Sequence, residues 1–418
     1  KAQKIERWNR SVNLERFDVF LSHAWQTHGR WKVLALLLQS SWHILLMGWA
    51  LGLLAALPLH LMEDMPSVIS YECESYGYEG VCFLRVYLVY FGMIGWMVGL
   101  LIAPYVPRLR EKTCFLDVVS IDQAEEEARE KGIYSIGGFL AVSNTLQILW
   151  DKPYFGRLWC VFELAAFRTC NPKGRILLTP VFIEAGIFLG LAMAYLLISV
   201  NWIFRFLDWP QEVSQVIRLF LHHPLIHFCR RMLHSKRQMI WHLRNFELCQ
   251  VECQNDFDRH FIHAGILAWY GSAETFTQYV RGPLSDELAQ PFSRFRVPRA
   301  YFAVLAAPLA SWELSWVLAM IQSGAPEAAV WWTLRKRSTM LLLDLMIVKL
   351  MVLTCDYFAE PSRLNCLKTT CVWIGIVAVV YIIWQVYYFL EEGQVTASVS
   401  SVIILSLFML FVGEAGEM

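Results

Sequence analysis

Charge is scarce in this chain. Only 17% of its 418 residues are Asp, Glu, Lys or Arg, whereas 56% are hydrophobic and the mean hydropathy is +0.41. Those proportions exclude a wholly water-soluble protein. Neither sign of charge is in excess, because thirty-six Lys plus Arg meet thirty-six Asp plus Glu. The general basicity of a nucleic-acid binder is lacking, so nucleic acid is not expected as a partner. No Gly-rich phosphate loop of either common type occurs. Eleven scattered cysteines, an odd number over a long chain, do not make a disulfide framework and point to a reducing compartment for the largest soluble part. The chain opens at Lys1 rather than Met, without a signal-peptide pattern, so an upstream piece is expected and targeting is not legible.

What the chain does have is long apolar runs, each able to cross a hydrocarbon layer that takes about 20 helical residues to span. Residues 33–62 and 83–106 make the first two, joined by an acidic stretch with Glu63, Asp64, Glu72, Glu74 and Glu79. Basic residues collect outside this hairpin, at Lys1, Lys4, Arg7, Arg10, Arg30 and Lys32 before it and at Arg108, Arg110 and Lys112 after it. The positive-inside tendency puts those flanks in the cytoplasm and the acidic loop on the other side. There Cys73 and Cys82 bracket the loop, and the compartment makes a disulfide between them an option. Residues 186–206 form a further span. Residues 213–228 form a weaker one, interrupted by Arg218, His222, His223 and Pro224. Four more runs, 301–321, 340–354, 371–390 and 395–412, bring the expected total to about seven or eight spans. Parity then puts Arg335, Lys336 and Arg337 on the outer side, against the same rule.

Between the spans the chain reads as an α/β domain. FDVFL at 17–21, CFLDVV at 114–119, TLQILW at 145–150 and RILLTPVF at 175–182 are short apolar runs rich in strand formers. Residues 124–131 read as a charged helix with Glu127 four residues before Lys131, and 136–143 as an apolar one. Residues 158–168 make a helix with Trp159, Phe162 and Ala166 on one side. Strands alternating with helices predict a parallel sheet. The expected organisation is a split α/β domain from 1–32 and 107–184, interrupted by a transmembrane hairpin at 33–106. One or two spans at 185–228, a basic cytoplasmic helical segment at 229–299 and a four-span membrane domain at 300–418 follow.

At these residues a resemblance becomes specific. FDVFLSHAW at 17–25 resembles the opening strand of a TIR (Toll/interleukin-1 receptor-like) domain, and CFLDVVSID resembles its second strand and following loop. WDKPYFGRLWCVFELAAF at 150–167 is similar to the family's Trp-Cys-x-x-Glu-Leu region, with Tyr154, Trp159, Cys160, Glu163 and Leu164 in step. With its inserted hairpin and further spans, the chain resembles a group of multi-pass TIR-like proteins of dinoflagellate algae, a resemblance that extends over 242–288. The fold it implies is a multi-pass α-helical membrane protein with a split TIR-like (flavodoxin-like, parallel-sheet) domain. That domain is expected on the cytoplasmic face or its stromal or matrix equivalent. The resemblance offers two roles for Glu163. NAD-cleaving TIR domains use the matching glutamate at the ribose, where a carboxylate stabilises the oxocarbenium-like state as nicotinamide leaves. In TIR domains that act as assembly modules the same motif packs helix against sheet, and this is the preferred expectation.

His23, Trp25 and Asp122 fall after the first two strands, at the carboxyl end where α/β sheets hold ligands, and are candidates for a nucleotide pocket; His23 has the alternative role of a hydrogen-bonded residue at a helix start. Cys249, Cys253, His260 and His263 supply the four N/S ligands of a tetrahedral zinc site, though in an unusual spacing. Glu313, Asp344 and Lys349 stand inside apolar runs, where charge costs at least about 2.5 kcal/mol unless paired or hydrated; a Glu313–Lys349 ion pair is the expected arrangement and a substrate path the alternative. NAD as substrate and zinc are the only cofactor expectations. The expected partners are the lipid bilayer and other membrane proteins, or a second copy through the TIR-like domain. Association in signalling or in a membrane complex is the preferred reading. An NAD glycohydrolase, a transporter or channel and a structural subunit of an organellar complex are the alternatives.

Overall fold

The computed structural model describes residues 14–62, 65–67, 69–75, 77–106, 112–122, 124–253, 255–293 and 299–392. The chain is mostly helical with a small parallel sheet. Strand β1 (Phe17–His23) leads into helix α1 (Gly29–Leu61), and the hairpin β2 (Ile69–Ser75) and β3 (Tyr78–Leu84) precedes α2 (Tyr87–Ile102). Then come β4 (Cys114–Phe115), α3 (Asp117–Ser120), α4 (Glu126–Tyr134), α5 (Ile136–Ala141), β5 (Ser143–Trp150), α6 (Leu158–Cys170) and β6 (Arg175–Pro180). The remaining helices are α7 (Val181–Phe206), α8 (Gln211–Arg244), α9 (Asp256–Tyr270), α10 (Ala273–Tyr279), α11 (Ser285–Ser293), α12 (Arg299–Gln322), α13 (Glu327–Tyr357) and α14 (Asn365–Glu392). Two compact units result, one drawn from Lys1–Leu36, Pro107–Glu184 and Ser235–Arg294, the other from Leu37–Val106, Ala185–His234 and Phe295–Met418.

The first unit is built on a parallel sheet of order β4-β1-β5-β6. Its central strands carry Phe20, Leu146, Ile148 and Trp150, all essentially buried, as their aromatic and branched side chains favour. Phe115 stacks on Phe20 at 4.6 Å and on Phe139 of α5 at 4.7 Å. Helix α6 buries Leu158, Val161, Phe162, Leu164, Ala165 and Phe167 in the same core. The run expected as a strand over 114–119 is a strand only at Cys114–Phe115. Asp117 accepts the N–H of Val118 at 2.7 Å and Ser120 Oγ accepts that of Leu116 at 3.1 Å, so side chains offer this backbone a helical turn in place of a longer ladder. The Glu127–Lys131 pair forms at 2.7 Å.

Of the segment expected as separate over 229–299, the part Ser235–Arg294 belongs to this first unit. Met239 and Leu243 of α8, Ile262 and Ile266 of α9 and Phe276 of α10 belong to the core that β1, β5 and α6 build. Backbone bonds join them too, Leu158 N–H to Glu252 O at 3.1 Å and Glu252 N–H to Gly156 O at 2.9 Å. Helix α9 is started by Asn255, whose side chain accepts the N–H of Phe257, and stopped at Gly271, whose φ of 80° suits a residue without a Cβ.

Among the described residues, five helices are long and apolar enough to cross a membrane: α1, α7, Ala300–Gln322 within α12, α13, and Asn365–Tyr387 within α14. The most apolar windows of α1 and α14 are only 22% and 17% buried within the protein, so most of that surface is left for an apolar solvent. Helix α2 is apolar but shorter, at 16 residues. It packs on α1 through glycines. A Cβ at Gly48 would run into the Gly95 carbonyl oxygen, one at Gly95 into that of Gly48, and one at Gly52 into that of Phe91. Such small-residue contact lets two helices approach where the hydrophobic effect does not drive them together. The weak run 213–228 lies within α8, a helix that is not among the five, because its charged and histidine residues dilute its apolar length. The expected run 395–412 and the basic residues Lys1, Lys4, Arg7, Arg10, Arg108 and Arg110 lie outside the described residues.

Arg335, Lys336 and Arg337 lie within α13, which starts at Glu327. Two expectations for the second unit are corrected. Glu313 is paired with Arg337, at 3.6 Å, rather than with Lys349, and the Arg337 guanidinium also lies over the Trp316 ring at 4.1 Å. Cys73 and Cys82 are free thiols. In the β2–β3 register Cys73 stands opposite Gly80 and Cys82 opposite Tyr71, so the two cysteines are diagonal neighbours rather than a facing pair.

Candidate functional site

The carboxyl ends of β1 and β5 meet where the strand order of the sheet reverses, the place where open α/β sheets leave a crevice. β1 ends there in Ser22 and His23, with Ala24 and Trp25 following. The turn after β4 brings Asp117, and the turn after β5 brings Tyr154 and, on α6, Glu163. Ser22 is wholly buried and connects two of these, with Oγ 2.6 Å from the Tyr154 hydroxyl and donating to Glu163 Oε2 at 2.5 Å. Tyr154 is wholly buried as well. The three make one internal chain of hydrogen bonds, hydroxyl to hydroxyl to carboxyl.

That chain lies in an apolar setting, which disfavours charge. Burial pushes the Glu163 carboxyl up to about 8; the Ser22 hydrogen bond opposes the rise and the negative charge of Asp117 adds to it. Glu163 is therefore mainly a neutral acid at pH 7. Burial likewise raises the Tyr154 phenol and the Cys160 thiol well above their ordinary ranges, so Cys160 is no thiolate nucleophile.

At the mouth, Asp117 serves two neighbours. Its Oδ2 accepts from the Trp25 indole N–H at 2.7 Å, and its Oδ1 is 4.0 Å from His23 Nε2. Burial lowers the basicity of His23 and Asp117 opposes that. Lys32 Nζ donates to the Ala24 carbonyl at 2.8 Å, fixing the loop. Trp25 remains 64% exposed, so a large indole is held at one edge with its face in solvent.

Of the residues picked from sequence, Glu163, Tyr154, His23 and Trp25 gather here, and Cys160 and Leu164 lie in the wall of α6. Trp159 turns away from the crevice, its indole N–H donating to Asp258 of α9 at 3.2 Å. Asp122 does not join the site: its Oδ1 accepts the N–H of Ala124 at 2.8 Å, closing its own turn. Asp117 takes the place expected of it. Reading 114–119 as a continuous strand concealed that, because a strand residue would have pointed to a sheet face. Ser22 was missed although it stands in FDVFLSHAW; a hydroxyl at the last buried position of a strand is the signal that marks it.

The four zinc candidates do not assemble. Among the described residues no three His, Cys, Asp or Glu side chains form a group fit to hold a metal ion. Cys249 is exposed in a short helical turn, the Cys253 thiol turns to Asn255 O at 3.3 Å, and His260 Nδ1 bonds Asp256 O at 2.7 Å within its own helix. Local backbone bonding is satisfied at the expense of a shared centre. His263 lies on the same helix, and burial lowers its basicity. Asp344 and Lys349 both belong to α13. No family model matches the chain, and no curated protein and no solved structure matches it either.

Proposed function

We propose that the chain is an integral membrane protein, of about seven or eight spans, whose split α/β unit is TIR-like, stands on the cytoplasmic side and acts by protein association in signalling or in a membrane complex. The observation that carries this reading is the state of the crevice. Glu163 is tied to Ser22 and held near pKa 8, so the carboxylate that would stabilise an oxocarbenium-like ribose is mostly absent at neutral pH. What the crevice offers outward is Trp25, oriented by Asp117 and 64% exposed. A rigid aromatic with one polar handle is the residue type that dominates protein contacts. Support for the membrane part is the set of five long apolar helices and the exposed apolar surface they carry. Support for the TIR-like part is the parallel order β4-β1-β5-β6 with the Trp159–Leu164 motif on the helix after β5.

The test is cross-linking and co-purification of the full chain from native membranes, compared with Trp25→Arg. Association reduced by the variant supports the reading; a wild-type protein that is strictly monomeric and brings no partner overturns it. A second reading keeps support from the location of Glu163 beside the carboxyl end of β1, an NAD glycohydrolase. Its test is nicotinamide release from NAD by the full chain, and release that disappears in a folded Glu163→Ala variant would make the protein an enzyme.

A further inference from the structure

The β2–β3 hairpin has a buried sulfur cluster that none of the functions above uses. Cys73 and Cys82 lie on one face of the hairpin, since their partners Gly80 and Tyr71 are two residues away from them on the opposite strands. That face packs on the carboxyl end of α12. The Cys73 thiol is 3.1 Å from the Met320 thioether sulfur and the Cys82 thiol 3.5 Å from the same atom. Cys82 and Met320 are wholly buried. Tyr71 and Trp316, edge to face at 4.9 Å, and Ala329 belong to the same cluster, and Tyr78 closes it by donating to Ser323 O at 2.9 Å.

Two thiols directed at one thioether are not what packing alone requires. A thioether is a weak acceptor, and aliphatic side chains would fill the space without two S–H groups to satisfy. As a ligand set the cluster is soft throughout, two thiols and one thioether. Thiolate and thioether ligands select monovalent copper among the biological metals, whereas zinc takes four ligands from Cys, His and carboxylate, and only two of these residues are present here. The surroundings fit the charge as well. The Arg337 guanidinium lies over the Trp316 ring, which packs against this cluster, at 4.1 Å.

We propose that Cys73, Cys82 and Met320 form a three-sulfur site for a monovalent soft cation of the Cu(I) class. On binding, the two thiols release two protons as one monovalent cation enters, so the centre passes from neutral to a single negative charge. Arg337, reaching this cluster from α13, is the counter-charge. No electron is transferred.

The experiment is an anaerobic, reduced titration of the detergent-purified full chain with Cu(I), buffered by bicinchoninate so that single surface thiols do not compete. Wild type is expected to retain one equivalent against the chelator. Cys73→Ser and Cys82→Ser lose it, and Met320→Leu, which keeps the volume, weakens it by about tenfold. X-ray absorption at the copper edge is expected to give three sulfur neighbours in wild type and two in Met320→Leu, a readout independent of how well the serine variants fold. Equal retention in wild type and Cys82→Ser overturns the proposal. So does a Cys73–Cys82 disulfide in protein alkylated and mapped directly from its membrane.

Discussion

Replacing Glu163 by Gln tests the buried hydrogen-bonded chain through its pH dependence. The carboxyl moves from its ordinary 4.5 to about 8 on folding, so between those values the folded state binds one proton more than the unfolded state. Stability from this group is thus complete below pH 4.5 and is lost as pH rises through 8. The ideal slope is a loss of about 1.4 kcal/mol per pH unit. Between pH 5.5 and 8 that gives a ceiling of about 3 kcal/mol, of which about 2 kcal/mol is expected because the Glu163 side chain is not wholly withdrawn from solvent. The amide that Glu163→Gln introduces is neutral at every pH and still accepts from Ser22, so the variant should lack this slope and be the more stable protein at pH 8. The assay is thermal unfolding of both proteins in one detergent across pH 5.5–8.5, read as the difference between them so that His23 and other titrating groups cancel. About 2 kcal/mol corresponds to a midpoint shift of about 5 °C in a domain of this size. Parallel profiles for the two proteins would refute a raised carboxyl, and with it the argument that the crevice lacks a carboxylate at neutral pH.

Three other perturbations address separate parts of the molecule. Ser22→Ala deletes the link between Tyr154 and Glu163 and leaves a buried phenol short of a partner, for a cost of about 1–3 kcal/mol, which chemical denaturation checks. Gly95→Ala puts a Cβ into the Gly48 carbonyl oxygen and should cost about 1–3 kcal/mol in detergent melts. Gly375→Ala is the matched control, because nothing stands within 4 Å of its Cβ position. Glu313→Gln strands Arg337 and should destabilise by about 3 kcal/mol. Adding Arg337→Met should recover most of that in a double-mutant cycle, and additive losses would show the pair to be uncoupled.

Local pattern determined much of this protein. Five of the apolar runs lie in long helices, FDVFL and TLQILW became parallel strands, RILLTPVF became one only as far as Pro180 because Val181 opens the next helix, and Glu127 met Lys131, because each depends on spacing along one element. The same economy put Tyr154, Glu163, His23 and Trp25 together, since the carboxyl ends of adjacent parallel strands must share one edge. What the sequence did not disclose depends on contacts between distant segments. Asp117 replaces Asp122 because a side chain captured the backbone after Phe115 and ended the strand early. The 235–294 segment joins the α/β core because Met239, Ile262 and Phe276 are buried in one apolar cluster with residues of β1, β5 and α6. Arg337 takes Glu313 from Lys349 because helix packing, not helical spacing, decides which charges meet. The meeting of Cys73 and Cys82 with Met320, almost 250 residues further along, likewise exists only once the hairpin is laid on α12; a motif scan follows neighbours in sequence, whereas a ligand set is made by neighbours in space.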